Sequence, residues 1–338
     1  MITSHPFGTL TDGTPVTRYR LTGGGGAYAD ILDYGGTIQA LVVPDREGRP
    51  TDVVLGYDTP REYQAGTLYF GATIGRHANR IGRGRFTLDG VSYALDCNCG
   101  PNHSHGGLQG FDRRMFTGEI HGDLLQLHLI SPHGDQGYPG KLTVTVTFSF
   151  SPDNVLTIRH QAVTDRATLV NLTSHSYFDL SGGQNPMGQL LRLPAEAFTE
   201  NDENTLPTGR ILPAAGTAFD FSVEKPVGRD IDLPQEQLRR CRGYDHNFVL
   251  SPGGVASLRS EETGIAMTLE TDLPGVQLYS GNYVEGVGKG GRIYHPRDGV
   301  CLEPQFFPNA MAMDAFQKPI LRPGQVYDHR IRYGFSRL

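Results

Sequence analysis

The stretch "KLTVTVTFSF", Lys141 to Phe150, decides the fold class. Leu142, Val144, Val146, Phe148 and Phe150 are apolar, and Thr143, Thr145, Thr147 and Ser149 between them are polar. A period of two marks a strand with one face in a core and the other turned away from it. "LLQLHLI" (124–130) and "VLTIRHQAV" (155–163) repeat the pattern on either side. Along the rest of the chain 44 glycines and 22 prolines recur without collecting in one place, which leaves little room for long helices and suits short strands joined by turns. One short helix is expected, in "PQEQLRRC" (234–241). The glycine-rich "TGGGGAYAD" (22–30) and "EGVGKGGRI" (285–293) read as hairpin turns. A phosphate loop is excluded in the second, because Lys289 is followed by Gly290 where Ser or Thr is needed and no strand-to-helix unit surrounds it. The expectation is an all-β protein.

The 338 residues suffice for an ample core without disulfides or a structural metal, in one large domain or two fused sandwiches, and no linker or internal repeat divides them. Cys97, Cys99, Cys241 and Cys301 form no CxxC pair and are too few for a disulfide scaffold, so they are read as reduced thiols. No secretory leader and no apolar run of membrane-spanning length is found, so a cytoplasmic protein is expected. Thirty basic against 36 acidic residues, a net charge of -6, give no footprint for nucleic acid or an anionic membrane. The four arginines of "GRHANRIGRGRF" (75–86) point to a local site.

Five segments carry groups suited to chemistry. In "NLTSHSYFDL" (171–180) a strand period puts Asn171, Thr173, His175, Tyr177 and Asp179 on one polar face. His175 there is a candidate acid or base near neutral pH, or a structural or solvated histidine. In "GVCLEPQFFP" (299–308) Glu303 shares a face with Cys301 and Gln305 on a strand that Pro304 confines to an edge or end. It is either a partly desolvated base with a raised pKa or an exposed strand-end glutamate. "PNHSHGG" (101–107) spaces His103 and His105 to share a strand face, half of a metal site with no third ligand evident, and its glycines allow the backbone close to a ligand. "ANRIGRG" with Asn79 and Arg80, and "GYDHNFVL" with Asp245, supply side chains that fork hydrogen bonds to vicinal hydroxyls.

Together and in this order, these segments resemble the aldose 1-epimerase (galactose mutarotase) family. The match is carried by "GRHANRIGRGRFTLDGVSYAL", "NHSHGG", "NLTSHSYFDLSG", "GYDHNFVL", "GVQLYSGNY" and "CLEPQFFPNA". The resemblance implies an antiparallel β-supersandwich with an open cleft, as a single domain over residues 1–338. It implies an isomerase that interconverts the α and β anomers of free aldoses such as galactose and glucose, with His175 as general acid and Glu303 as general base. Asn79, Arg80, His105, Tyr177, Asp245 and Gln277 would hold the sugar, and His175 would enter the cycle protonated, aided by Asp245. Neither metal nor other cofactor is implied. The partner would be a monosaccharide, with no nucleic acid and no membrane, and the chain a monomer or homodimer. Two departures from the family pattern, Ser104 for leucine and Phe116 for tryptophan, are expected to border the sugar site. The alternatives are a hexose-6-phosphate 1-epimerase, for which Arg76 and Arg83 would serve, and a non-catalytic sugar sensor, which would need no acid–base pair.

Overall fold

The computed structural model describes residues 1–338. Lys141 is followed by a strand, Leu142–Phe150, whose residues are alternately buried and half-buried along its whole length, as the period of two requires. This strand lies in a nine-stranded antiparallel sheet. Its order is Thr117–His121, Leu124–Ser131, Leu142–Phe150, Val155–Thr164, Tyr327–Arg337, Ile265–Thr271, Ala256–Arg259, Leu190–Arg192 and Lys225–Pro226. The last strand of the chain, Tyr327–Arg337, runs between Val155–Thr164 and Ile265–Thr271, so the C-terminal segment ties the two halves of the sheet together.

A six-stranded antiparallel sheet has the order Tyr177–Phe178, Val300–Gln305, Gly275–Tyr279, Asp245–Leu250, Ala195–Asn201, Pro207–Pro213. A five-stranded sheet from Ile2–Thr9 to Pro50–Asp52 follows chain order. One core of 56 buried residues joins all three: Leu21, Ile31 and Leu41 from the five-stranded sheet, Val144, Val146, Phe148 and Ile331 from the nine-stranded, and Phe248, Val276, Leu278 and Leu302 from the six-stranded. Truncating a buried leucine such as Leu302 to alanine costs about 2–5 kcal/mol, because the lost transfer energy adds to that of the cavity left behind.

The helices are Pro60–Ala65 and Glu236–Cys241. The first is started by a reciprocal cap, with Thr59 Oγ1 accepting from the Glu62 amide while the Glu62 carboxylate accepts from the Thr59 amide. The second lies where expected. Both glycine-rich segments turn between antiparallel strands. The "NLTSHSYFDL" segment departs from a half-exposed strand: every residue from Asn171 to Leu180 is buried. Only Thr173–Ser174 and Tyr177–Phe178 pair as strand, each with a different partner. Of the polar face deduced from the period, His175 and Tyr177 line a cleft, while Asp179 is taken up by Ser181 and Arg292.

Candidate active site

The site is laid out by strand register. Tyr177 lies opposite Cys301 and Phe178 opposite Val300. Continuing that antiparallel count by two residues, past the end of the ladder, sets His175 across from Glu303. On its other flank Glu303 is paired with Gln277, which is paired in turn with Asn247. The neighbouring row on the same face runs Tyr177, Cys301, Tyr279, Asp245. Successive side chains on a strand point to opposite faces, so Val300 and Leu302 enter the core while Cys301, Glu303 and Gln305 face the other way. The strand is interior to its sheet, so of the two places expected for Pro304, an edge or an end, it takes the end. Pro304 is tolerated because it lies opposite Val276 on one side, while the ladder with Tyr177–Phe178 on the other has already ended.

Over these rows lies a cleft of about 530 Å³, lined by Asn79, Arg80, His105, His175, Tyr177, Asp245 and Glu303 of the expected residues. His175 Nε2 is 3.6 Å from Glu303 Oε2. The imidazole is sandwiched between Tyr177 and Tyr69, at ring-centre distances of 5.1 and 5.7 Å, with His105 edge-on at 5.1 Å. Arg80 Nη2 donates to Asp245 Oδ2 at 3.2 Å, and Asn79 Oδ1 accepts from the Arg80 amide at 2.8 Å. Glu303 Oε2 and Arg80 Nε are buried with no hydrogen-bond partner within the protein, and buried polar atoms of this kind are ordinarily paired.

His105 is placed by a tight turn. Its own φ is +49°, and a Cβ on Gly106 would sit 1.8 Å from the Gly75 carbonyl oxygen, so only glycine lets the two backbones meet. The glycine therefore serves an approach of backbone to backbone. The same turn separates the two histidines expected to share a face. His103 points away from the cleft, with Nδ1 2.8 Å from the Asp96 carbonyl oxygen and Nε2 2.8 Å from the Tyr138 hydroxyl.

The nitrogens and oxygens of His105, His175 and Glu303 lie within 4.8 Å of one another, close enough to invite a cation. The Asn79 amide, however, donates to His105 Nδ1 at 3.3 Å. A neutral His105 then carries its proton on Nε2, offering a donor rather than a lone pair. That suits a hydroxyl and not a metal.

Gln277 is buried beside Glu303 on the neighbouring strand, its Nε2 donating to Asp245 Oδ1 at 2.6 Å, so in the free protein it holds that carboxylate. Other expectations need correction. Asn171 clamps the end of the Val300–Gln305 strand, accepting from the Phe306 amide and donating to the Phe306 carbonyl. Ser104 lines the cleft, but Phe116 is in the core against Phe111. Arg76 is fully buried, donating to Ser131 and to the carbonyls of Pro132 and Pro139, and neither it nor Arg83 lines the cleft. Sequence reasoning missed Tyr69 and Arg113. Tyr69 has a left-handed backbone, φ 56°, and Arg113 is fixed by the carbonyls of Gln64 and Gly66. Neither belongs to a pattern a period would reveal, and Tyr279 and Tyr283 lay inside a quoted block without a role.

Burial sets the charges. Desolvation lowers the His175 pKa to about 4 against the opposing pull of Asp245. Desolvation and then Asp245 push Glu303 well above the usual carboxylate range, with Arg80 pulling the other way. Both shifts run the same way: in the free cleft burial disfavours charge on either group, favouring the proton on Glu303 over one on His175.

The chain matches the family described as Aldose 1-epimerase over residues 17–334. It is 39% identical to a galactose mutarotase from Sus scrofa over 99% of this chain and 98% of that one. It is 40% identical to a galactose mutarotase from Homo sapiens over 91% and 90% of the two chains. The crystal structure of an aldose epimerase homologue from C. elegans superposes with a TM-score of 0.89 at 31% identity, covering 94% of this chain and 98% of that one.

Proposed function

We propose that this chain, which belongs to the aldose 1-epimerase family, interconverts the α and β anomers of free aldoses such as galactose and glucose, with Glu303 as general base and His175 as general acid. The observation that carries the assignment of roles is the Glu303–His175 pair, 3.6 Å apart on adjacent backbone segments and buried at the floor of a polar cleft.

Opening the ring requires the anomeric hydroxyl to lose a proton while the ring oxygen gains one. Those two oxygens share one carbon, so acid and base must converge on one edge of the sugar, as these two side chains do. Glu303 takes the first proton and His175 gives the second. The aldehyde turns about its bond to the next carbon, and reclosure on the other face reverses both transfers. Throughout, the pair holds one proton, on His175 while the ring is closed and on Glu303 while it is open. The free cleft favours the second distribution. As a closed sugar seats, its anomeric hydroxyl donates to Glu303 and its ring oxygen accepts from His175, and both bonds favour moving the proton to the histidine. Asn79, Arg80, Asp245 and the His105 Nε2–H then take the remaining hydroxyls, with Tyr177 beside the imidazole and Gln277 acting through Asp245.

The seating of Arg76 in the core supports free over phosphorylated sugars. Arg113, beside the cleft, is already spent on two carbonyls. Four unpaired thiols support a reducing, cytoplasmic setting, and no helix is long and apolar enough to cross a membrane. The test is polarimetry of freshly dissolved α-galactose, α-glucose, xylose, arabinose and glucose 6-phosphate with the protein. Acceleration on the free sugars is expected. Acceleration confined to the phosphate ester, or on no sugar, would defeat the reading.

A further inference from the structure

A donor imidazole needs its proton on a particular nitrogen, and His175 must present that proton from Nε2, the atom facing Glu303. Which nitrogen carries it is set by what the other one meets. Nδ1 meets one polar side chain, Cys301 Sγ, at 3.7 Å, and the backbone carbonyl of His175 itself also bears on the ring. Cys301 is completely buried, and its place follows from the sheet, since it lies opposite Tyr177 on one side and Tyr279 on the other, in the row next to Glu303. The ring is pressed between Tyr69 and Tyr177, so its plane and the direction of Nδ1 are fixed.

We propose that Cys301 is a positioning residue that holds the tautomer of His175. The thiol donates to Nδ1 when the imidazole is neutral, leaving the proton on Nε2, and accepts from Nδ1–H when the ring is charged. A thiol is a weak donor and a weak acceptor, so Nδ1 keeps a partner through both half-reactions while neither protonation state is locked in. Left to its own backbone carbonyl alone, the neutral ring would carry its proton on Nδ1 and leave Nε2 bare. A carboxylate in place of the thiol would hold the ring as imidazolium and oppose its release of the proton.

The inference rests on His175 being the acid, and the two fail separately. Nitrogen NMR of ¹⁵N-histidine-labelled wild-type protein at neutral pH, with His175→Asn identifying the resonance, is expected to show His175 neutral and protonated on Nε2. A wild-type ring protonated on Nδ1 overturns the proposal without any variant. Cys301→Ala is expected to populate the Nδ1–H tautomer and to lower kcat about tenfold, the lower range seen when a partner that orients a histidine is removed, with KM within twofold. Cys301→Ser, which keeps a donor and acceptor there, is expected to recover the Nε2–H form and most of kcat. If Cys301→Ala keeps the wild-type tautomer and kcat, or if serine fails where alanine fails and both lower Tm alike, the cysteine only fills space. If His175→Asn retains full activity, the acid assignment is what falls.

Discussion

Replacing Glu303 by glutamine separates the chemistry of this carboxyl group from its structural weight, because the two respond in opposite directions. The amide has the shape of the protonated acid, the form that burial favours for Glu303 in the free cleft, so the variant should seat in the same space beside Gln277 and His175. What it cannot do is accept the anomeric proton. A positioned general base contributes about 10²–10⁴-fold, which corresponds to roughly 3–5.5 kcal/mol of barrier at 1.36 kcal/mol per factor of ten. Stability moves the other way. A carboxyl whose folded pKa lies above its unfolded one favours the unfolded chain as pH rises through the unfolded value, and glutamine removes that cost. Tm at pH 7 should therefore hold or rise while polarimetric kcat on α-galactose falls by at least a hundredfold. Since the pair works as a unit, adding His175→Asn should lower the rate little further. A rate within threefold of wild type, or a rate loss accompanied by a fall in Tm, would refute the reasoning.

Three other outcomes follow from the same geometry. Gln277→Leu removes the 2.6 Å donor to Asp245 Oδ1; a hydrogen bond to a charged group is worth about 1.5–3 kcal/mol, so KM should rise tenfold or more with a smaller change in kcat, and an unchanged KM would restore Gln277 to the rank of bystander. The single-proton form of the His175–Glu303 pair extends down to the lowered His175 value of about 4, so kcat/KM for the protein-catalysed rate should stay level through pH 6.5 and fall only near 4; a half-drop at 6.5 would show an unburied histidine in control. His160 is buried among core residues, neither ring nitrogen has a partner, and its pKa is lowered to about 3 by desolvation and the nearby His329. Unfolding lets it take up a proton below 6.5, so at pH 5 it weakens the fold by about 2 kcal/mol. His160→Leu should therefore lose less stability than wild type between pH 7 and pH 5 in urea titrations, and equal losses would count against it.

The strand period of Leu142–Phe150 was legible because one face meets a core and the other does not, the condition under which alternation carries information. The same rule gave the right facing for His175 and Glu303 but the wrong surroundings. A residue facing a cleft and one facing water have the same sequence pattern, and the burial of both faces at 171–180 arises largely from segments distant in the chain, residues 73–78 and 300–306 among them. His103 and His105 show the limit of spacing, since one left-handed residue at the end of a two-residue strand sent the rings apart. Arg76 looked like a site arginine because sequence does not say that its carbonyl partners lie more than fifty residues on. Tyr69 owes its place over His175 to a turn with no telling composition.

The register that sets His175 across from Glu303 ties the spacing of acid and base to the repeat distance between paired strands, about 4.8 Å in any sheet. The reacting groups thus stand on a lattice that loop changes cannot stretch, while the cleft rim is drawn from connecting segments, with Thr67 and Leu68, Asn98 and Cys99, and Gly107 and Leu108 among its lining. On the proposed reading, proton transfer and the rim contacts to the sugar thus stand on separate parts of the chain, with Asp245 the sugar contact that shares the sheet. Exchanging rim segments with those of another member of the family should retarget the sugar without retuning proton transfer, whereas a single-residue insertion within Val300–Gln305 would turn Glu303 into the core and end the reaction at one stroke.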